Sequence, residues 1–368
     1  MDRSRQFIIG LFYFLSLFVP AVFPSAAGAA TWQQGWDELV AAAKKEGRLV
    51  LFGPPDPEVR VQIPALFKNR FGITVEYVGG RGQEVNARLQ AEQAAGQHYF
   101  DAALGGTTLD ALRKSDSLEP VRPALFHPDA QDGTKWKLGG LFFLDPAKQY
   151  LMRLSIYTTP LRVINTDQVK PEEVSWQGLL DPKWKSKIST YDLSGPGTGR
   201  GQAVYLLHKF GEDYFTKLYR GQQVVTTRDR RQQSLWLARG VYPIAIALDK
   251  GEYAALRKDG FPVAMLPNTK DVPGNSTSGS GYATLLKKAP HPNAARLFLN
   301  WLITREGQEV LNRAMGVPAL RADLDDSWAI KETIVQPGWD YLDTDNLEFR
   351  ENVEPKLIKR MQELLATK

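Results

Sequence analysis

Cysteine is absent from all 368 residues. No disulfide can brace this chain, no thiolate can hold a metal or attack a substrate, and no cysteine-borne lipid can anchor it. Histidine is scarce. His98, His127, His208 and His291 are the only four, and none stands at the His-Glu-x-x-His spacing of a zinc hydrolase. His127 and His291 each precede a proline, which marks turn or cap positions. A serine nucleophile elbow is missing too, since Ser278-Gly279-Ser280-Gly281 lies in a polar loop with no base beside it. Neither sign of charge prevails: 46 Lys and Arg stand against 41 Asp and Glu, a formal net charge of +5 that is scattered along the chain. No nucleic-acid partner is expected from that balance. The densest basic cluster, Arg228, Arg230, Arg231 and Arg239, has helical spacing and reads as a solvated face. No internal repeat is visible.

What is present is enough for two domains with real cores. The first residues differ from the rest. Arg3 and Arg5 precede an apolar run over Phe7–Val19, and Ala27-Gly28-Ala29 is a small-x-small cleavage signal. Pro20 and Pro24 break the run before it could serve as a stop-transfer segment. Residues 1–29 therefore read as a secretory signal peptide, cleaved near Ala29, and the mature chain is expected in the periplasm.

Strands and helices then alternate. Trp36, Leu39, Val40 and Ala43 keep the 3.6-residue period, which predicts a helix over Trp32–Lys45. Leu49–Phe52, Ile73–Val78 and Phe100–Leu104 read as strands, with helices at Val59–Arg70 and Gln83–Ala95 between them. Each strand ends in Gly or Pro: Gly53-Pro54-Pro55-Asp56, Gly79-Gly80-Arg81-Gly82, Gly105-Gly106-Thr107-Thr108. Such a run implies a parallel sheet with ligand contacts at the strand C-termini. A second set of elements follows mid-chain, around Asp192-Leu193-Ser194-Gly195-Pro196-Gly197-Thr198-Gly199-Arg200-Gly201-Gln202. No regular element is expected within that stretch, a strand before it (Lys187–Tyr191) and a helix after it (Ala203–Phe210). It lacks the Gly-Lys-Ser/Thr of a P-loop and does not fit Gly-x-Gly-x-x-Gly. A glycine turn between strand and helix still aims free N–H groups at one point beside the positive end of the helix, a geometry suited to an anion.

Two further segments carry a family likeness. Gly178-Leu179-Leu180-Asp181-Pro182-Lys183-Trp184-Lys185-Ser186-Lys187-Ile188 resembles the L-x-D-P-x-W-K-x-K-I segment of periplasmic solute-binding proteins. Ala289-Pro290-His291-Pro292-Asn293-Ala294-Ala295-Arg296-Leu297-Phe298-Leu299-Asn300-Trp301-Leu302, with Arg305-Glu306-Gly307-Gln308, resembles their A-H-P-N-A-A-x-L-F-x-N-W-L…x-E-G-Q segment. The chain is similar to the extracellular solute-binding proteins of ABC importers, in the branch that includes the iron(III)-binding proteins. The resemblance implies an α/β, type II-like periplasmic-binding-protein fold: two lobes, each a central sheet flanked by helices, with a cleft between them. It divides the chain into a signal peptide (1–29), a first lobe (30–155 with 264–368) and a second lobe (156–263). It also implies a small-molecule solute, an ABC permease as partner, a monomer, and no enzymatic activity.

Iron does not carry over. Iron-binding members place two adjacent tyrosines after the strand that matches Tyr242–Leu248, where this chain has Asp249-Lys250-Gly251, and Tyr253 stands alone. Iron(III) needs several hard anionic ligands. No metal and no cofactor are therefore expected, and the solute is read as a small organic anion: a carboxylate, a phosphate ester or a phosphonate. The expected ligand contacts are Arg81, Gly82, Thr107 and Thr108 from the first lobe and Ser194, Gly197, Thr198, Gly199, Arg200, Thr227, Arg228 and Asp249 from the second, with Tyr282. Iron(III) with a synergistic anion remains an alternative. So does a cation held by Asp249, Tyr253 and Tyr282. An exported enzyme is a third; a thiamine-degrading enzyme shares the fold but uses a cysteine that this chain lacks.

Overall fold

The structure, a computed structural model, describes residues 26–80, 82–159, 162–195 and 197–366. Most of the expected signal peptide lies outside them, as do Arg81 and Pro196. In chain order the first elements are α1 (Ala26–Glu46), β1 (Arg48–Gly53), α2 (Pro57–Phe71), β2 (Thr74–Gly79), α3 (Gly82–Ala94), β3 (Ala102–Gly105), α4 (Asp110–Lys114), β4 (Leu118–Glu119) and β5 (Met152–Arg153). The middle contains β6 (Tyr157–Thr158), β7 (Arg162–Asn165), β8 (Ile188–Tyr191), α5 (Thr198–Thr216), β9 (Val225–Thr227), α6 (Arg230–Ala238), β10 (Ile244–Ile246), α7 (Lys250–Lys258) and β11 (Val263–Leu266). The chain ends with β12 (Asn275–Thr277), β13 (Tyr282–Leu286), α8 (Pro292–Leu302), α9 (Arg305–Met315), β14 (Leu342–Asp343) and α10 (Glu354–Ala366).

The first sheet has the order β2-β1-β3-β13-β4, with β5 also paired to β13. β1 lies parallel to β2 and β3, as the early strand–helix alternation predicts, and β13 returns antiparallel. Leu49, Val50, Leu51 and Phe52 are all buried, because helices cover both faces of this strand. Asp56 caps α2 by accepting from Glu58 N (2.9 Å) and Val59 N (3.2 Å), and Gly72 ends it in the left-handed region at φ 74°. Phe67, Phe298 and Trp301 join α2 to α8 in the main core of this lobe.

The second sheet has the order β11-β7-β10-β8-β9, with β8, β9 and β10 mutually parallel. Its core gathers Trp176, Leu179, Trp184, Ile188, Leu206 and Phe215. Two segments assigned to the first lobe on the sequence belong here instead. β11 pairs with β7, and Leu357, Ile358, Met361, Leu364 and Leu365 of α10 pack onto this second core beside α5. The period of an amphipathic helix reveals its apolar stripe but not which core covers it. The chain thus crosses between lobes three times: after β6, before β12 and after β14. Those three strands form a small sheet of their own, ordered β14-β12-β6.

A buried ion pair fixes this crossing. Arg153, 1% exposed, donates to Asp343 (3.2 and 3.4 Å), to Asp345 (3.2 Å) and to Ser278 Oγ. Asp345 in turn accepts from Ser278 N (2.6 Å), Thr277 Oγ1 (2.8 Å) and the Tyr282 hydroxyl (3.0 Å). Removing one partner of a buried pair strands the other charge. Arg153→Met should therefore lower the free energy of unfolding by about 3–5 kcal/mol. Adding Asp345→Asn to it should restore part of the loss. Urea unfolding of the three proteins checks both statements, and an unchanged midpoint for Arg153→Met would refute the first.

Candidate functional site

The glycine-rich stretch joins the end of β8 to α5 in the second lobe. A helix starts inside this stretch, contrary to expectation: Thr198 to Gln202 are the first residues of α5. The reason lies at Gly199. A Cβ on it would stand 2.5 Å from Asp192 O and still closer to Tyr191 O, so only glycine lets the helix begin directly on the end of β8. Its N-cap is Gly197, which offers no side-chain acceptor. Thr198 Oγ1 donates to Ala247 O (2.9 Å), which binds the start of α5 to the end of β10. Ala247 itself holds the left-handed region at φ 58°, an uncommon conformation for a residue with a Cβ and one that clusters at functional turns.

The stretch already contains a carboxylate. Asp192 accepts from Ser194 Oγ (2.8 Å) and Ser194 N (3.2 Å) and pairs with Arg228 Nε (3.2 Å), while Arg228 Nη2 reaches Ser194 Oγ (3.1 Å). Burial pushes the Asp192 carboxyl up, but the Ser194 bonds and Arg228 outweigh it and hold it below the usual range. Ser194 and Arg228, both expected as ligand contacts, thus already bond within the loop. Thr227 Oγ1 accepts from Asp229 N (3.1 Å). Asp249 caps α7 through Gly251 N (2.9 Å) and pairs with Arg230 (3.0 Å). Arg230, read from sequence as part of a solvated face, also lies over the Tyr191 ring at 5.5 Å. Arg200, half-buried, makes no ion pair or hydrogen bond among the described residues.

Lys250 was not among the expected contacts. It follows Asp249 directly, and its Nζ donates across the lobes to Met315 O at the end of α9 (3.3 Å). It also lies 4.6 Å from the centroid of the Tyr157 ring. Burial lowers its pKa to about 8, although Asp249 and Asp56 act to raise it. Neither carboxylate forms an ion pair with it. Tyr157 comes from β6, and burial pushes its phenol well above the ordinary range, with Asp345 and Asp249 adding to the shift. Its hydroxyl has no partner among the described residues. Gly279 (φ 57°) abuts that hydroxyl so closely that a Cβ would run into it. A Cβ on Gly106 would stand 2.9 Å from Gly279 O, so the end of β3 is drawn to the same place. Thr107 and Thr108 follow in a half-buried 3-10 turn, and neither hydroxyl is engaged among the described residues. Asn86 of α3, the helix that Gly82 starts, donates to Thr108 O.

Two expected residues face elsewhere. Tyr282 is fully buried in the first sheet with its hydroxyl on Asp345, and Tyr253 is buried with its hydroxyl accepting from Met265 N (3.3 Å). Both sit on the core side of their elements, which removes two of the three groups proposed for a cation. His127 and His291 are cap residues as expected: His127 Nδ1 accepts from Asp129 N (3.2 Å), and His291 precedes α8 with its ring on the buried Asp101 (2.9 Å). Among the described residues no group of three or more His, Asp or Glu side chains could hold a metal. A look at the turn after β10 for what replaces the tyrosine pair, rather than for its loss, would have pointed to Lys250.

Comparison with known proteins places this arrangement. Residues 56–309 match the family described as bacterial extracellular solute-binding protein, and the chain belongs to that family. An uncharacterized protein of Haemophilus influenzae is 24% identical over 286 residues, covering 73% of this chain and 76% of the relative. Among solved structures, a Trichodesmium protein (IdiA, FutA) in complex with iron and citrate superposes with a TM-score of 0.63 at 17% identity. It spans 86% of this chain and 99% of that one. AfuA from Actinobacillus pleuropneumoniae with bound fructose-6-phosphate superposes at 0.57 and 20% identity, over 87% and 99% of the two chains. The expected two-lobed fold is thereby shown, and fold and family are those of transport proteins that serve ABC importers. No helix among the described residues is long and apolar enough to cross a membrane.

The close seating of α5 on β8 gives a direct test. Gly199→Ala forces the helix start off the strand end, and overpacking of this kind costs about 1–3 kcal/mol. Thermal unfolding should register that loss, whereas Gly201→Ala, with open space around it inside the same helix, should leave the melting temperature unchanged or slightly raised.

Proposed function

We propose that this protein is the periplasmic receptor of an ABC importer for a small organic anion, which it captures between its lobes and delivers to the permease. The observation that carries the reading is Lys250: an ammonium held between the lobes by one carbonyl and one aromatic face, with no carboxylate paired to it. Arg200, the uncapped start of α5, the Tyr157 hydroxyl and the hydroxyls of Thr107 and Thr108 supply further donors. Most of the acceptors nearby are already used, Asp192 by Ser194 and Arg228 and Asp249 by Arg230 and Gly251. A cleft with spare donors and spent acceptors favours a carboxylate, phosphate ester or phosphonate. AfuA with its sugar phosphate is a relative in fold that agrees with this reading. Iron(III) is the second reading, carried by the Trichodesmium structure with iron and citrate. A lysine ammonium in the cleft repels a trivalent cation and disfavours it. Export through cleavage near Ala29, with a mature N-terminus near Ala30, and function as a monomer complete the proposal.

Calorimetry against sugar phosphates, carboxylates and phosphonates, with ferric citrate and polyamines as opposed classes, tests it. Truncating a desolvated charge contact costs about 2–5 kcal/mol, so Lys250→Met and Arg200→Ala should each weaken the best anion roughly 30-fold to 1,000-fold. Arg239→Ala, on the exposed end of α6, should leave affinity unchanged. Exclusive binding of ferric or polyamine ligands would overturn the assignment.

The pH dependence follows from the same lysine. Only its protonated form attracts the anion, and its pKa in the free protein is about 8. Affinity should hold steady up to that pH and fall by up to tenfold per unit above it, and Lys250→Met should abolish that fall. A wild-type affinity that does not change between pH 7 and 10 would contradict the role given to Lys250.

A further inference from the structure

The start of α2 and the start of α5 have opposite polarity. Gly197 leaves α5 without a side-chain cap, and Thr198 binds this end to Ala247, at the head of the turn that carries Lys250. That side is rich in donors. The turn before α2, Gly53-Pro54-Pro55-Asp56-Pro57, holds three prolines, so between residues 54 and 57 only Asp56 has a backbone N–H. The first N–H groups of α2 are already used: those of Glu58 (2.9 Å) and Val59 (3.2 Å) go to Asp56 Oδ1, and that of Arg60 (3.0 Å) goes to Asp56 O. Asp56 Oδ2 has no partner among the described residues. The Tyr77 hydroxyl fixes the turn by donating to Pro54 O (2.7 Å), and it lies where a Cβ on Gly53 would stand. This side therefore offers a half-buried carboxylate oxygen and almost no donor.

Helix packing brings Asp56 toward Lys250. α2 and α9 run antiparallel: Arg70, near the end of α2, lies 3.8 Å from Glu306 in the first turn of α9, and Leu66, one turn earlier, lines one cavity with Val310 and Arg313. The start of α2 thus lies toward Met315 at the end of α9, whose carbonyl accepts from Lys250 Nζ (3.3 Å). Asp56 acts electrostatically on that ammonium, yet the two form no ion pair among the described residues. Each is pinned, Asp56 by its cap bonds and Lys250 by Met315 O and the Tyr157 ring. Asp249, the other acid that acts on Lys250, is held by Arg230 and Gly251 N. One carboxylate of the first lobe and one ammonium of the second are left near each other and unpaired. Half-buried charges held apart each lack a partner. A simple anion serves the ammonium alone and brings its own charge toward Asp56. A solute with charges of both signs serves both.

We propose that the solute is a zwitterion: an organic acid whose anionic group is held by Lys250 and Arg200 of the second lobe, while a protonated amine on the same molecule is held by Asp56 of the first. This rests on the reading of the cleft as an anion site and narrows it to acids that carry an amine.

Calorimetry on the full protein tests it with two pairs of probes that differ only in an ammonium for a methyl: 2-aminoethylphosphonate with propylphosphonate, and β-alanine with butanoate. The amine of at least one pair should bind roughly tenfold to a hundredfold more tightly than its methyl partner, the worth of one charge-assisted bond. Asp56→Asn loses the charge but keeps the helix cap, and it should bring the two members within about threefold of each other without weakening the methyl member. Asp56→Ser, a second uncharged cap, should do the same. Glu58→Gln, which removes an exposed carboxylate from the same turn, should leave the preference as in wild type. A preference that survives in both Asp56 variants, or that Glu58→Gln removes as fully, would overturn the role of Asp56. No binding of either amine would overturn the zwitterion. Equal binding within both pairs would overturn it too, and would leave the anion site standing. If none of the four acids binds while propylamine does, both readings fail.

Discussion

The Arg153–Asp345 pair is the constraint on which the two-lobed arrangement rests. Arg153 ends a strand of the first sheet, and Asp343 and Asp345 sit where the chain makes its third crossing. Asp345 also gathers Ser278, Thr277 and the Tyr282 hydroxyl. Three segments distant in sequence, at Arg153, Thr277–Tyr282 and Asp345 itself, are therefore referenced to one carboxylate. Each satisfies a buried polar group of another, so none can shift alone without stranding a charge or a donor. Tyr157 leaves the same small sheet toward the cleft and responds electrostatically to Asp345. The framework that joins the lobes and the aromatic ring beside Lys250 are thus electrostatically linked.

The cleft is arranged by a second rule, which is internal neutralisation. Two acids of the second lobe are each covered by an arginine: Arg228 on Asp192, Arg230 on Asp249. Lys250 and Arg200 form no ion pair among the described residues. Surface ion pairs contribute little to stability, but here they determine which charges remain to meet a ligand.

Much of the fold was legible because strong local signals agreed with it. Leu49-Val50-Leu51-Phe52 and the glycines after each early strand announced a parallel sheet, and the segments around Trp184 and Trp301 identified the family. The places where the reading failed share a cause. Gly199 looked like a loop residue because propensity sees a missing Cβ atom, not the strand end that requires its absence. Tyr282 looked like a ligand because an isolated tyrosine near a glycine-rich segment carries no mark of which way it points, and the strand pleat turns it to Asp345. Lys250 was passed over because it was read as the loss of a tyrosine pair. The carboxylates that cap or pair, Asp192 among them, were invisible because pairing is a property of three-dimensional neighbours.

The third crossing has a mechanical consequence. Two linking strands form a ribbon that twists readily about its length, so lobes joined that way can both swing and rotate. Adding β14 beside β12 widens the ribbon to three strands, and a sheet resists shear in its own plane far more than it resists bending out of that plane. The lobes of this protein should open like the covers of a book about a broad spine, with little corkscrew motion. The rims of the cleft would then meet again in the same register at every closure.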